Sequence, residues 1–101
     1  MRVELRAEAR EDLIAGALFY ERQRELLGSY FTGCLFGDLE QLEIEAGIHE
    51  LTFGLHRKLS KRFPFAIYYT ITQSVIDVVA ILDCRRDPLL IEERLRVRQR
   101  R

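Results

Sequence analysis

The chain has 101 residues, of which 48% are hydrophobic and 32% are charged. This length allows one domain with a modest core, and this balance excludes an intrinsically disordered protein. No apolar run approaches the ~20 residues that a membrane-spanning helix requires, and the N-terminal stretch MRVELRAEAR lacks the apolar segment of a signal peptide. We therefore expect a single domain without a signal peptide and without a membrane as partner.

One short strand and two helices are predicted in the first half of the chain. Residues 2–6 alternate between apolar and charged side chains, as a strand does. Residues 8–27 then repeat apolar side chains at i and i+4, and Gly28 ends this amphipathic helix. A second helix is predicted from Ser29 to about Ala46. The short link between the helices indicates an antiparallel pair.

Three glycines interrupt the predicted helices, at positions 16, 33 and 37. A glycine inside a helix costs about 1 kcal/mol relative to alanine. We therefore expect each of them to lie where another part of the chain approaches the helix backbone closely.

The second half of the chain has the two-residue period of β-strands. Residues 50–59 are predicted to form one strand, whose apolar face comprises Leu51, Phe53, Leu55 and Leu59. The next strand begins after Pro64, which cannot donate to a ladder, and its inward set is Phe65, Ile67, Tyr69 and Ile71. Residues 75–82 are apolar on both faces except for Asp77, as in a central strand. The order β-α-α-β-β-β predicts an α+β fold, with a two-helix hairpin packed on a small antiparallel sheet.

The C-terminal segment has more than one interpretation. Asp87-Pro88 is a favourable helix start, which would suit a short C-terminal helix from Leu89 to Leu95. Residues 94–101, RLRVRQRR, carry five arginines and alternate with apolar or polar residues. This pattern fits a strand or a mobile basic tail equally well.

Charge is distributed unevenly between the two halves of the chain, although the formal net charge is 0. Residues 1–50 carry five arginines and eleven acidic residues, a net charge of −6, whereas residues 51–101 carry eleven basic and five acidic residues, a net charge of +6. Such asymmetry indicates an anionic partner for one face of the protein.

Three basic pairs fall at the ends of predicted strands: Arg57-Lys58, Lys61-Arg62 and Arg85-Arg86. Antiparallel strands would bring these pairs to the same edge of the sheet. A convergent set of arginine and lysine side chains binds phosphate groups or an acidic protein surface. The alternative is that these charges serve only to keep the strand ends soluble.

Other kinds of site find little support in the sequence. Cys34 and Cys84 lie far apart without metal-type spacing, so two free thiols are favoured over a disulfide. His49 and His56 have no acidic or cysteine neighbours at metal-ligand spacing, and His56 fits a surface position on a strand. There is no phosphate-binding loop, catalytic triad or metal motif, and we expect no metal and no cofactor.

The stretch GLHRKLSKRFPFAIYYTITQSVIDVVAILDCRRDP, residues 54–88, resembles the RelE/ParE superfamily of toxins from bacterial type II toxin–antitoxin pairs. It is most similar to the ParE-like branch: a basic second strand, RFP before a tyrosine-rich strand, an apolar strand and then RDP. The segment AREDLIAGALFYE of the first predicted helix and the LG..F pattern opening the second also fit. The resemblance covers about residues 1–94 and implies two helices on a small antiparallel sheet.

The resemblance implies a cytoplasmic growth inhibitor that forms a hetero-oligomer with a cognate antitoxin. RelE-like members cut mRNA in the ribosome, whereas ParE-like members poison DNA gyrase. Arg86 and Lys58 match basic positions of the RelE pattern, but the arginine of its third strand would fall near Ala66 and its late tyrosine near Glu92. An RNA-cleaving site needs groups that stabilise charge and move protons. These departures favour a toxin without a catalytic site, and they leave a ribosome-dependent endonuclease or an inactive antitoxin-binding relative as alternatives.

The resemblance also suggests which residues contact the partners. Arg94 matches an arginine of the ParE-like pattern, whereas Ile91 stands where many members have tryptophan. The expected target-binding set is therefore Arg57, Lys58, Lys61, Arg62, Arg85, Arg86 and Arg94. The antitoxin is expected to lie across the helices and the sheet, with Phe19, Tyr20, Tyr30 and Phe31 as candidate contacts.

Overall fold

The computed structural model describes residues 1–100 of the chain. Its elements are β1 (Arg2–Leu5), α1 (Ala7–Gln23), α2 (Leu27–Glu45), β2 (Leu51–Thr52), β3 (Leu55–Leu59), β4 (Phe65–Thr72), β5 (Val75–Asp83) and α3 (Pro88–Gln99). The predicted α+β fold and its two-helix hairpin are confirmed. None of the helices within residues 1–100 combines the length and the apolar character needed to cross a bilayer.

The five strands form one sheet in the order β1-β5-β4-β3-β2. Strands β2 to β5 pair with their neighbours in an antiparallel way, as predicted. Strand β1, however, pairs with β5 in parallel, from Arg2 opposite Val75 to Leu5 opposite Val78. A parallel pair requires a long crossover rather than a tight turn, and the helical hairpin belongs to the long connection between β1 and β5.

The predicted strand over residues 50–59 is interrupted at its centre. Phe53 and Gly54 have φ angles of 54° and 83° and form a tight turn between β2 and β3. Two successive residues with positive φ suit the twist of a two-residue hairpin. The predicted apolar face is consequently wrong except at Leu55, which is buried, since Leu51, Phe53 and Leu59 are 66%, 43% and 57% exposed.

The two faces of the sheet carry separate apolar clusters. The hairpin of α1 and α2 covers one face, where the inward set Phe65, Ile67 and Tyr69 is buried as predicted. Helix α3 packs on the other face through Ile91 and Leu95, in the cluster that contains Ala66, Tyr68, Val79, Ala80 and Leu82. Strand β5 is thus covered on both faces, as its apolar sequence indicated.

Of the three glycines predicted to interrupt the helices, one lies at a close packing contact. Gly28, which was predicted to end the first helix, lies inside α2 instead, and a Cβ there would be 2.5 Å from the carbonyl oxygen of Ala17. A Cβ atom at Gly16 would be 2.7 Å from Cζ of Phe31, so that the backbone of α1 depends on glycine here. Gly33 and Gly37 are exposed, and a Cβ at either position would meet nothing within 4 Å. The prediction of close packing is therefore confirmed at Gly16 and wrong at Gly33 and Gly37.

The C-terminal segment is helical through residue 99. The Asp87 carboxylate accepts a hydrogen bond of 2.9 Å from the backbone N–H of Leu89, and Pro88 occupies the first helical turn, as predicted. Leu95 is fully buried, and the Arg98 guanidinium donates to the Asp12 carboxylate of α1 at 2.9 Å. The alternatives of a strand or a mobile tail are wrong for residues 94–99, and Arg101 lies outside the described residues.

Candidate functional site

Two loops meet at one end of the sheet, where β3 and β5 end and β4 begins. Leu59 pairs with Ala66, Phe65 pairs with Asp83, and the N–H of Cys84 donates to the carbonyl of Pro64 at 2.8 Å. The loop between β3 and β4 carries two exposed cations, and the loop between β5 and α3 carries two more. We call these four residues the basic end: Lys61, Arg62, Arg85 and Arg86.

The cations of the basic end differ in whether they form an ion pair. Arg85 makes two hydrogen bonds to the Asp83 carboxylate, at 3.0 and 2.7 Å. These hydrogen bonds lower the pKa of Asp83 and raise that of Arg85, so the two charges largely compensate each other. Lys61, Arg62 and Arg86 form no ion pair within residues 1–100. These three cations are therefore available to an anionic partner.

Lys58 does not belong to the basic end. Its side chain points to the face covered by α2, where its Nζ donates to Oε1 of Glu45 at 2.6 Å and to Oε1 of Gln41 at 3.1 Å. The side chain is 5% exposed, and its hydrogen bond to Glu45 lowers the pKa of that carboxyl. Lys58 is opposite Ile67 in the ladder and hence on the helix-facing side of β3, which the simple two-residue alternation over residues 50–59 did not indicate.

Arg57 points to the opposite face of the sheet from Lys58. Its guanidinium donates to the hydroxyl of Tyr68 at 3.3 Å and to Sγ of Cys84 at 3.4 Å. Burial alone would lower the pKa of Arg57, but these two contacts outweigh it and raise the pKa. Arg57 is therefore near the basic end through Cys84, but it is half-buried and has neighbours within the protein.

Arg94 comes close to Arg86, although the two lie on different elements. Arg94 is exposed on α3, and both arginines line the same two cavities between α1, β5 and α3. The predicted target-binding set thus divides into three parts: the basic end joined by Arg94, the half-buried Arg57, and the separately buried Lys58.

The predicted antitoxin contacts divide into buried and exposed side chains. Tyr20 and Phe31 are 7% and 0% exposed and stack at 5.2 Å within the aromatic core, so they offer no surface to a partner. Phe19 and Tyr30 are 47% and 50% exposed and remain accessible. Phe63 fills the space between these rings, with its centroid 4.8 Å from that of Tyr20 and 5.0 Å from that of Phe31. Phe63 precedes the predicted strand that begins after Pro64, so the strand pattern did not mark it as a core residue.

A polar cluster under the loop after α2 was not predicted. The N–H of Gly47 donates to the Tyr69 hydroxyl at 3.0 Å, and that oxygen lies 2.5 Å from Nδ1 of His49. A hydroxyl that accepts from Gly47 can still either donate to Nδ1 or accept from it, so the tautomer of His49 decides the direction of this hydrogen bond. Burial lowers the pKa of His49 and raises that of Tyr69. No sequence signal marks the cluster, because its members are about 20 positions apart and Tyr69 fits the apolar alternation.

The basic end has the chemistry of a binding surface. Its exposed cations can contact carboxylate or phosphate groups. It contains no histidine, and the nearby carboxylate of Asp83 is held by Arg85. The two positions that depart from the RelE pattern have structural surroundings: Ala66 is fully buried in the sheet, and Glu92 forms an ion pair with Arg96 at 3.5 Å.

One solved structure has a closely similar fold. It is a chain of the structure "Chromosomal ParDE TA system from P. aeruginosa", which superposes with a TM-score of 0.66 over 80% of this chain and 92% of that chain, at 16% sequence identity. The protein has the fold found in that ParDE structure. At this identity the likeness concerns the fold, and it agrees with the two helices on a small sheet that the sequence resemblance implied. No family model and no curated protein sequence matches the chain.

The ParDE-like fold also explains the charge asymmetry of the sequence in part. Among residues 1–100, three ion pairs join the two halves of the chain: Arg6 with Asp77, Lys58 with Glu45, and Arg98 with Asp12. The pairs of Lys58 with Glu45 and of Arg98 with Asp12 compensate part of the excess charge of the two halves, whereas the pair of Arg6 with Asp77 does not. Exposed cations occur in both halves of the chain; within residues 51–100 they are the four residues of the basic end together with Arg94, Arg96 and Arg100.

Proposed function

We propose that this protein is the toxin of a bacterial type II toxin–antitoxin pair and that a cognate antitoxin neutralises it in a hetero-oligomeric complex. The observation that carries the proposal is the ParDE-like fold, which extends over 80% of the chain. The sequence motifs of residues 54–88 independently support the same family.

We further propose that the toxin inhibits growth by binding DNA gyrase. The basic end supports this proposal, because it combines available cations with no histidine to move protons. The alternative target is the ribosome with its mRNA. In that case the protein would need a catalytic group where Ala66 and Glu92 now stand, one of them buried and the other paired with Arg96.

The proposal is tested by expressing the protein in bacteria with and without the antitoxin from the same operon. Gyrase poisoning produces filamentous cells with DNA-damage signalling, and the purified protein then inhibits supercoiling by gyrase. Rapid arrest of translation with cleaved mRNA would identify an endonuclease instead. Growth that is unaffected by the protein alone would overturn the assignment as an active toxin.

A matched pair of variants connects the activity to the basic end. We expect Arg86→Ala to reduce toxicity, since Arg86 is an exposed cation without an ion pair in the described chain. Arg22→Ala, on an exposed site of α1 outside the basic end, should leave toxicity unchanged. Surface substitutions of this kind change stability by less than about 0.5 kcal/mol, so a folded Arg86→Ala protein with full toxicity would count against this surface.

A further inference from the structure

A groove runs along one edge of β5 between α1 and α3. It consists of two adjoining cavities of about 430 and 270 Å³. Both are lined by Leu82, Arg86 and Arg94, and the smaller one also has Phe19 and Phe65 in its wall. The groove therefore combines an apolar lining with two cationic side chains.

The groove exists because β1 is shorter than its neighbour. Strand β1 pairs with β5 only as far as Val78. Beyond that point side chains from the two helices replace the missing strand: the Asp12 carboxylate accepts from the N–H of Ile81 at 3.0 Å, and the Arg98 guanidinium donates to the carbonyl of Val79 at 3.1 Å. Asp12 lines the smaller cavity and Arg98 lines the larger one, and the two side chains form an ion pair.

The remaining edge of β5 offers main-chain groups without a strand partner. In an antiparallel ladder the N–H and C=O of one residue point to the same side, and residues two apart repeat this direction. Since the N–H of Ile81 points away from β4 to Asp12, the carbonyl of Ile81 and the N–H of Asp83 point away from β4 as well. This free edge is about three residues, or roughly 7 Å, long.

The charges around the smaller cavity, which borders the free edge of β5, favour an anionic occupant. Two of its carboxylates are compensated, Asp12 by Arg98 and Asp83 by Arg85. Arg86 and Arg94 have no ion pair within residues 1–100, and both line the smaller cavity together with Asp83. The carboxylates of Glu8 and Glu93 line only the larger cavity, on the α3 side.

We propose that this groove binds an extended, acidic peptide segment of a partner protein, which adds a short strand to the free edge of β5. Its main chain donates to the carbonyl of Ile81 and accepts from the N–H of Asp83. Its carboxylates pair with Arg86 and Arg94, and its apolar side chains fill the lining around Leu82. Main-chain pairing supplies affinity and alternate side chains supply specificity in this mode of recognition. The inference goes beyond the proposed function and stands whether or not the target is gyrase.

A peptide fits the groove better than a phosphate ligand does. A phosphate group would use the two arginines but would leave the apolar wall and the strand edge unoccupied. An alternating acidic and apolar strand uses all three features, because successive side chains of a strand point to opposite faces. The α1 side and the α3 side of the groove would each receive one set of side chains.

The first test is an NMR titration of the isotope-labelled full-length protein with an acetylated, amidated five-residue peptide that alternates Glu and Val. We expect saturable shifts at Ile81, Leu82 and Asp83, together with slower hydrogen exchange of the Asp83 amide. Two control peptides separate the components: one replaces Glu by Lys, and the other carries N-methyl groups on the amides that face β5. Each control should bind at least about tenfold more weakly.

The second test uses variants of the groove with matched controls. Arg86→Glu and Arg94→Glu should each weaken binding of the acidic peptide by on the order of tenfold, whereas Arg62→Glu, at the basic end but outside the groove, should not. Ala15→Trp fills the smaller cavity from α1 and should abolish binding, while Glu11→Trp on an exposed site of the same helix should not. Circular dichroism establishes that each variant is folded.

Three outcomes would overturn the proposal. They are the absence of a saturable shift with the acidic peptide at millimolar concentration, binding of the N-methylated peptide as tight as that of its parent, and an equal loss of binding in Arg62→Glu and Arg86→Glu. Titrations with inorganic phosphate and with a short oligonucleotide complete the experiment. Tighter binding of either at the same residues would assign the groove to a phosphate ligand instead.

Discussion

The two faces of the sheet are covered in different ways. On the hairpin face, α1 and α2 close over a continuous apolar core in which aromatic rings from α1, α2, β4 and the loop before β4 contact one another. On the other face, α3 is attached by Ile91 and Leu95 and by the hydrogen bonds of Arg98. The comparison indicates that the hairpin face sets the global stability, while α3 is the part that opens more readily.

The largest effect is expected from Phe31→Ala, which removes a fully buried ring at the centre of the hairpin face. Phe63 and Phe65 lie against this ring at 5.0 and 4.9 Å, so the substitution leaves a cavity among them. We expect the free energy of unfolding to fall by about 3–5 kcal/mol. Chemical denaturation measures this directly, and a loss below about 1 kcal/mol would show that the hairpin face does not dominate stability.

The next effect is expected from Asp12→Ala, which leaves the Arg98 charge on α3 without its carboxylate partner. Both side chains are about nine-tenths buried, so the loss should be about 3 kcal/mol. Hydrogen exchange should increase first in α3, because Asp12 anchors that helix. If exchange instead increased equally in α1, α2 and α3, the distinction between the two faces would not hold. Glu11→Ala, one position earlier and exposed, provides the control.

A smaller effect should appear in the dependence of stability on pH. Burial lowers the pKa of His49 from its ordinary value of 6.5, and the ring lies beside Glu45, Tyr69, Lys58 and His56. Because the folded state favours the neutral ring, the contribution of His49 to stability is complete above pH 6.5. It is lost as the pH falls through the lowered pKa. A His49→Gln variant should therefore show a flatter decline of unfolding free energy below pH 6.5 than the parent protein.

The last prediction compares an exposed glycine of α2 with a packed glycine of α1, and its smaller change is the stabilisation expected at the exposed one. Gly33→Ala should stabilise the protein by roughly 0.5–1 kcal/mol, because the new Cβ meets nothing and the unfolded chain loses freedom. Gly16→Ala should destabilise it by about 1–3 kcal/mol, since the new Cβ would press on the Phe31 ring. Thermal melts of the two variants would show shifts of opposite sign; shifts of the same sign would contradict the packing described for α1.

The sequence predicted the parts of the fold that follow from periodicity. The helical hairpin, the inward set of β4 and the start of α3 at Asp87-Pro88 all depend on local patterns, and all are confirmed. The break in residues 50–59 was missed, because Phe53 adopts a positive φ that its side chain does not suggest. The parallel pairing of β1 depends on partners far away in the chain, which local patterns do not report.

The candidate site was predictable only where charge and exposure coincide. Lys61, Arg62, Arg85 and Arg86 lie in loops and come together as expected. The burial of Lys58 depends on which face of β3 it occupies and on its hydrogen bond to Glu45, a carboxylate 13 positions earlier in the chain. The groove was not foreseen at all, because it results from the absence of a strand beside the second half of β5.

The parallel pair of β1 and β5 has a consequence for how the protein is made. Arg2 lies opposite Val75 in the ladder, and Arg6 forms an ion pair with the Asp77 carboxylate. Contacts of such long sequence separation form late, because the loop between them must close first. Because the ribosome synthesises the N-terminus first, β1 and the apolar side of α1 leave the ribosome before β5 is available to cover them. During that interval the nascent chain exposes an unpaired strand and an uncovered helix, which are the features that chaperones bind and that favour aggregation.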